Sequence, residues 1–194
     1  MKSHYFSAQP TTKSQPQTFS YAFAGQSFRF TTDAGVFSVG RMDDNSDLLV
    51  QQLPALSGSL LDLGCGFGAI GIVLAKTYGL ALTQADINPR AVALAQQNAS
   101  QNGVASQVVL SDQFENIADT FDTIVLNPPI HAGKTLVFAL YEGAQRHLRP
   151  GGKFYVVILK KHGAESSIAH LTKIFGHCAI LYKKKGRYIL CGTT

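Results

Sequence analysis

"LLDLGCGFGAIG", residues 60–71, runs from an apolar stretch through three alternating glycines into helical spacing. It reads as strand, tight turn and helix. A side chain at Gly64, Gly66 or Gly68 would block a ligand or forbid the dihedrals a tight turn needs. Working outward, "GSLLDL" (58–63) is the strand and "GAIGIVLAKTY" (68–78) the helix. "LALTQA" (80–85) is a second strand, and "NPRAVALAQQNASQNG" (88–103) a helix opened by Asn88 and Pro89 and stopped at Gly103. "SQVVLS" (106–111) and "FDTIVL" (121–126) continue the series. "AGKTLVFALYEGAQRHL" (132–148) is a helix stopped by "RPGG" (149–152), followed by the strand "KFYVVIL" (153–159). The helix "AESSIAHLTKIF" (164–175) and a strand pair, "AILYKKKGRYIL" (179–190), turning near Gly186, end the chain. Upstream, "TFSYAFAGQSFRFTT" (18–32) alternates and reads as a β-hairpin around Gly25 and Gln26, and "MDDNSDLLVQQL" (42–53) is a short capped helix. Repeated β-α units predict an α/β fold: a doubly wound, mostly parallel, seven-stranded sheet with an antiparallel last strand and an N-terminal β-hairpin extension. Such sheets bind ligands at the carboxyl ends of their strands.

The bounds agree. With 194 residues, 45% hydrophobic content and mean hydropathy +0.07, the chain suits one compact unit, read as an arm and hairpin over 1–42 and a main domain over 43–194. No apolar run approaches the ~18 residues of a membrane span, and the first residues lack a signal-peptide core, so a cytoplasmic protein with no membrane contact is expected. Cys65, Cys178 and Cys191 have no metal-binding or disulfide spacing, and no metal is expected. The net charge of +5 is uneven: residues 1–41 carry +3, 42–126 carry −7, 127–159 carry +3 and 160–194 carry +6. Basic ends around an acidic middle fit a polyanion meeting the ends, or simply solvated surface.

Asp86 ends the second strand about 20 residues past the glycines, where a carboxylate can bind ribose hydroxyls. The glycines also satisfy the dinucleotide pattern GxGxxG, which leaves a nicotinamide dehydrogenase open. Asp62, two residues before Gly64, can steady the loop and face a cationic ligand, or only cap the loop backbone.

Together, "LLDLGCGFGAIG", "ADINPRAVALAQQN", "LSDQF" and "LNPPIH" resemble the ordered motifs of class I S-adenosylmethionine-dependent methyltransferases. With "GVFS" before and "PGGKFYVVI" after, they are similar to the RsmC-like 16S ribosomal RNA guanine-N2 methyltransferases in single-domain form. The resemblance implies cofactor contacts from Asp62, Gly64, Gly66, Gly68, Asp86, Ile87, Asp112, Gln113 and Asn127. S-Adenosylmethionine would be consumed to S-adenosylhomocysteine, without metal or covalent intermediate. "NPPIH" (127–131) would be catalytic: Asn127 and the Pro128 carbonyl accept hydrogen bonds from a conjugated, poorly nucleophilic NH₂ and aim its lone pair at the methyl group. Prolines, lacking N–H and fixed in φ, should hold these carbonyls outward rather than in a helix. Pro129, Ile130, His131 and Phe37 would meet the substrate.

Two departures stand out. Ile130 replaces the aromatic residue that usually stacks on the flipped base, so an aromatic from elsewhere, such as Phe37, is expected to help. "DDNSDLL" places Asn45 where relatives have glycine, leaving Asp43 and Ser46 as candidates near the cofactor. Lys160, Lys161, Lys183, Lys184, Lys185 and Arg187 favour structured RNA, either ribosomal RNA or the small ribosomal subunit, with the protein a monomer or weak homodimer. The reading is methyl transfer to a guanine N2 of ribosomal RNA. Its rivals are transfer to adenine N6 or a protein glutamine amide, and a noncatalytic RNA-binding module.

Overall fold

In the computed structural model the described residues are 12–194, so most of the arm expected at the start of residues 1–42 falls outside them. Strands β1 (Gln17–Phe23) and β2 (Gln26–Thr32) form the expected hairpin. The turn residues are Ala24 and Gly25, both at positive φ, while Gln26 already pairs with Phe23. Helix α1 (Asp44–Gln52) follows, and then β3 (Ser59–Leu63), α2 (Ala69–Tyr78), β4 (Ala81–Asp86), α3 (Pro89–Gln101), β5 (Ser106–Leu110) and β6 (Phe121–Leu126). Helix α4 (Lys134–Arg146), β7 (Leu148–Leu159), α5 (Ala164–Phe175), β8 (Ala179–Lys184) and β9 (Arg187–Thr193) complete the chain.

The seven-stranded sheet has the order β5-β4-β3-β6-β7-β9-β8, parallel except for β9, which runs antiparallel to both neighbours. The order reverses between β3 and β6, which opens a crevice at their carboxyl ends. Alternation along β7 divides the core: Tyr155 and Val157 face the hairpin and α1–α3, while Phe154, Val156 and Ile158 face α4 and α5.

Contrary to expectation, "RPGG" lies inside β7 rather than acting as the stop of the preceding helix, which already ends at Arg146. Leu148 is buried and pairs with Phe121, the Gly151 N–H donates to the Thr194 carbonyl, and the β6–β7 register slips between Phe121 and Thr123. Gly152 permits this irregularity, because a Cβ there would sit 2.8 Å from the Arg149 carbonyl oxygen. Two one-turn 3₁₀ segments, Ile130–Ala132 and Lys160–His162, also follow strands where none was expected, and α4 begins only at Lys134.

The hairpin is tied to the main sheet by an arrangement with no local signature. Asn98 and Asn102, one turn apart on α3, each accept a backbone N–H of β2 and return an amide hydrogen to the same residue's carbonyl, at Thr31 and Arg29 respectively. Two buried amides thus act as a surrogate strand edge, pairing groups that burial would otherwise leave unsatisfied.

Candidate active site

A cavity of about 320 Å³ opens at the carboxyl ends of the central strands. Gly64, Cys65 and Gly66 form its floor, with Gly64 at φ 64° and Gly66 at φ 56°. A Cβ on Gly66 would meet no protein atom within 4 Å, so the loop leaves open space for a ligand to approach its backbone. Gly68 differs: it does not line the cavity, and a Cβ there would lie 2.6 Å from Gln84 Nε2. It permits helix-to-sheet packing beneath the loop. Burial, with the charges of Asp86 and Asp62, pushes the Cys65 thiol pKa well up and keeps it protonated.

Asp62 also lies beneath the loop rather than in the cavity. Its Oδ2 accepts the Gly71 N–H of α2 at 2.8 Å, and its Oδ1 has no hydrogen-bond partner among the described residues. Burial pushes its pKa up to about 7, against the opposing pull of the Gly71 bond. Of the two readings left open, the geometry supports the loop-steadying one; Asp62 does not face the ligand space.

Asp86 both faces the cavity and organises it. Its Oδ2 accepts the Gly66 N–H and its Oδ1 the Asn88 N–H, each at 2.8 Å. Burial raises its pKa, partly offset by these backbone bonds. Ile87 lies beside it, while Asp112 and Gln113 close that side after β5. Gln113 holds φ 52°, and the Ser111 hydroxyl pins the loop by donating to its carbonyl and accepting the Asn116 N–H. A glycine cradle with open space in front, flanked by a carboxylate with lone pairs still free, fits the nucleoside cofactor implied by the sequence.

Asn127 directly follows β6 and lines the cavity with the glycine loop. Its Nδ2 donates to Asp43 Oδ2 and to Ser46 Oγ, both at 3.0 Å. Two acceptors fix which end of the amide is nitrogen, leaving Oδ1 without a partner among the described residues and available to a donor in the cavity. Asp43 is also the N-cap of α1, accepting the Asn45 and Ser46 N–H groups. The sequence singled out Asp43 and Ser46 but not this task.

The expected outward carbonyls need correction. Pro128 O accepts the Ile130 N–H and Pro129 O the Ala132 N–H, each at 2.9 Å, with Pro129 at φ −76°, ψ 75° in an inverse γ-turn. Proline removes a donor only at its own position; the next residues still carry N–H groups and turn back. Pro128 O retains one lone pair for a ligand.

Pro129, Ile130 and His131 line the mouth, with Phe37 from the loop after the hairpin, 46% exposed. His162, which sequence reasoning missed, joins them: its ring lies 6.3 Å from that of His131. Burial, then the neighbouring Lys161 and His131, lowers its pKa, which favours the neutral ring. Lys160, Lys161 and Lys184 are exposed and outside the cavity. Among the described residues no group of His, Cys, Asp or Glu is arranged to hold a metal ion, and no helix is long and apolar enough to cross a membrane.

The family model described as methyltransferase small domain matches residues 27–191. The chain is 42% identical over 196 residues to the "Uncharacterized protein YbxB" of Bacillus subtilis (strain 168), covering 98% of each. It is 40% identical over 155 residues to the "Ribosomal RNA small subunit methyltransferase C" of Pasteurella multocida, covering 72% of this chain and 47% of that protein. The chain thus spans about half the length of that methyltransferase. Among solved structures, the "T. Thermophilus 16S rRNA N2 G1207 methyltransferase (RsmC) in complex with AdoMet and Guanosine" superposes with TM-score 0.83 at 28% identity, over 96% of this chain and 52% of that one.

Proposed function

The chain belongs to the methyltransferase small domain family and is an S-adenosylmethionine-dependent enzyme; on that premise we propose that it methylates the exocyclic N2 amine of a guanine in small-subunit ribosomal RNA. The observation that carries the proposal is the locked Asn127 amide, whose nitrogen is held by Asp43 and Ser46 and whose oxygen is left to the cavity. That oxygen and the spare lone pair of Pro128 O accept the two hydrogens of a planar NH₂ group. Held so, the amine directs its nitrogen lone pair toward the glycine loop, and positioning supplies the acceleration.

Gly64, Gly66, Asp86, Ile87, Asp112 and Gln113 would hold the cofactor. When bound, it supplies a methyl group on a cationic sulfur that departs as a neutral thioether. Ile130, His131, His162 and Phe37 would form the walls that receive the flipped base. The acceptor pair suits any planar NH₂, so the choice of guanine rests on the ribosomal RNA methyltransferases that this chain resembles.

The test incubates the protein with labelled S-adenosylmethionine and small ribosomal subunits, or their RNA, from a strain lacking the gene, followed by nucleoside mass spectrometry. N2-methylguanosine formed by wild type and not by Asn127→Ala is the expected result. Label in N6-methyladenosine, or in a protein glutamine, would assign the chemistry to a rival acceptor. Cofactor binding with no transfer to either substrate would favour a noncatalytic module.

A further inference from the structure

We propose that the tip of the β8–β9 hairpin and the 3₁₀ turn Lys160–His162 form one docking platform for the phosphodiester backbone of the RNA whose base enters the cavity. This rests on the RNA reading above and assigns it a surface.

Three observations carry the inference. The two segments are joined: the Lys160 N–H donates to the Gly186 carbonyl at 2.7 Å, and the Lys160 Cβ lies 4.0 Å from where a Cβ on Gly186 would be. The unit is joined to the cavity from two sides. His162, in the same turn as Lys160, lines the mouth; Arg187, beside the tip, donates to Asp44 Oδ2 at 2.9 Å, next to the Asp43 that holds Asn127.

Four of the unit's cations are also uncommitted. Lys160, Lys161, Lys184 and Lys185 are exposed and make no ion pair among the described residues, and residues 160–194 contain a single acid, Glu165. Lys183 is occupied, its ammonium 5.3 Å from the centre of the Tyr188 ring. A cluster of free ammonium groups beside a base-sized cavity matches a polyanion threaded past it, since phosphate contacts set register and supply sequence-independent affinity.

The third observation is the residue at the tip. Lys185 and Gly186 are the central pair of a two-residue turn between the paired Lys184 and Arg187, with φ 50° and 73°. Both positive values define the turn that normally takes Asn-Gly, Asp-Gly or Gly-Gly. Lysine there accepts an unfavourable left-handed backbone. Its gain is an exposed charge at the turn of the hairpin, in line with strain retained where it serves a function.

The test uses a fluorescein-labelled RNA stem-loop with an unpaired guanine, titrated at several salt concentrations with wild type, Lys185→Asn, and the triple variant Lys160→Ala, Lys184→Ala, Lys185→Asn. Lys185→Asn is the diagnostic change, because Asn suits the turn. It should melt no lower than wild type yet bind RNA more weakly. The triple variant should lose at least about tenfold in affinity, with the slope of log affinity against log salt falling by roughly 0.7–0.9 per lost contact. Calorimetric affinity for S-adenosylmethionine should be unchanged in all three. Equal affinities and slopes for the variants would overturn the platform while leaving the RNA reading intact. A wild-type protein that binds cofactor but no RNA at any salt would overturn both.

Discussion

The orientation of the Asn127 amide can be tested without touching Asn127. Its Nδ2 makes one bond to a carboxylate and one to a hydroxyl, each 3.0 Å long. A bond to a charged acceptor contributes about 1.5–3 kcal/mol and a neutral one about 0.5–1.5 kcal/mol. If that energy serves to hold Oδ1 toward the substrate amine, each 1.36 kcal/mol lost costs about tenfold in rate. Asp43→Ala should then slow single-turnover methyl transfer about ten- to hundredfold, and Ser46→Ala about two- to tenfold. Asp43→Ala also removes the α1 cap, worth about 1 kcal/mol, and should lower Tm by roughly 2–4 °C. Asp43→Asn separates the two effects. Asparagine caps a helix as well as aspartate does, so Tm should hold, but its side chain has one acceptor oxygen where Asp43 uses two, so the rate should fall. Because Asp43 and Ser46 also line the cavity, cofactor affinity is measured separately by calorimetry and the transfer rate taken at saturation. Wild-type rates for Ser46→Ala and Asp43→Asn, beside an inactive Asn127→Ala, would refute the reasoning.

Asp62 makes stability depend on pH in a defined direction. Its folded pKa is raised from 3.8 to about 7, so between those values the folded protein keeps a proton that the unfolded chain has released. The group therefore favours folding less as pH rises from about 4 to 7, by up to about 4 kcal/mol, and the penalty is complete above 7. Asp62→Asn should gain stability relative to wild type across that window in urea titrations, and a difference that stays flat with pH would contradict this. Gly68→Ala, at φ 89° with its Cβ 2.6 Å from Gln84 Nε2 and 3.2 Å from Ala95 Cα, should cost about 2–4 kcal/mol in the same assay. Gly66→Ala, whose Cβ meets only open space, should lose more cofactor affinity by calorimetry than it loses stability; the reverse order would show that the cradle lies elsewhere. Asp86→Asn leaves one of the Gly66 and Asn88 N–H groups without its acceptor, and cofactor affinity should fall at least about tenfold.

The parts legible in the sequence are those that local physics dictates. Alternating strands, helical spacing, the opening of α3 at Asn88, the Asp/Asn/Ser-rich start of α1 and the glycine loop each occupy a short window, and repeated β-α units imply the mostly parallel, doubly wound sheet. What the sequence hid is set by partners far along the chain. "RPGG" has the composition of a stop, yet backbone bonds of Gly151 and Gly152 with Thr194 draw it into a strand. Asp62 sits where a carboxylate can reach either the loop or the cavity, and only the approach of α2 decides between them. His162 belongs to a turn with no motif and reaches the mouth because β7 and β6 are neighbours. Asn98 and Asn102 read as polar positions on a helix, while their partners lie some 70 residues away.

On the proposed function, the same long-range ties would let a chain with Ile130 in place of an aromatic residue build a base pocket. Ile130 is partly buried and packs toward the α4 side of the core, so its side chain anchors the turn that carries His131. Phe37, in the loop leaving β2, also lines the cavity and would supply the aromatic surface that the proposed base-binding role needs. That loop is fastened to the start of α3 at several points: Arg90 donates to the Ala34 carbonyl and pairs with Asp33, and Asn88 Nδ2 donates to the Gly35 carbonyl at 2.8 Å. Asn88 is in turn fixed by Asp86, the carboxylate that also orders Gly66. The hairpin is thus more than an appendage. Its exit loop, Asp86 and the glycine loop are successive links of one hydrogen-bonded chain, so the groups that would hold the cofactor also set where Phe37 stands.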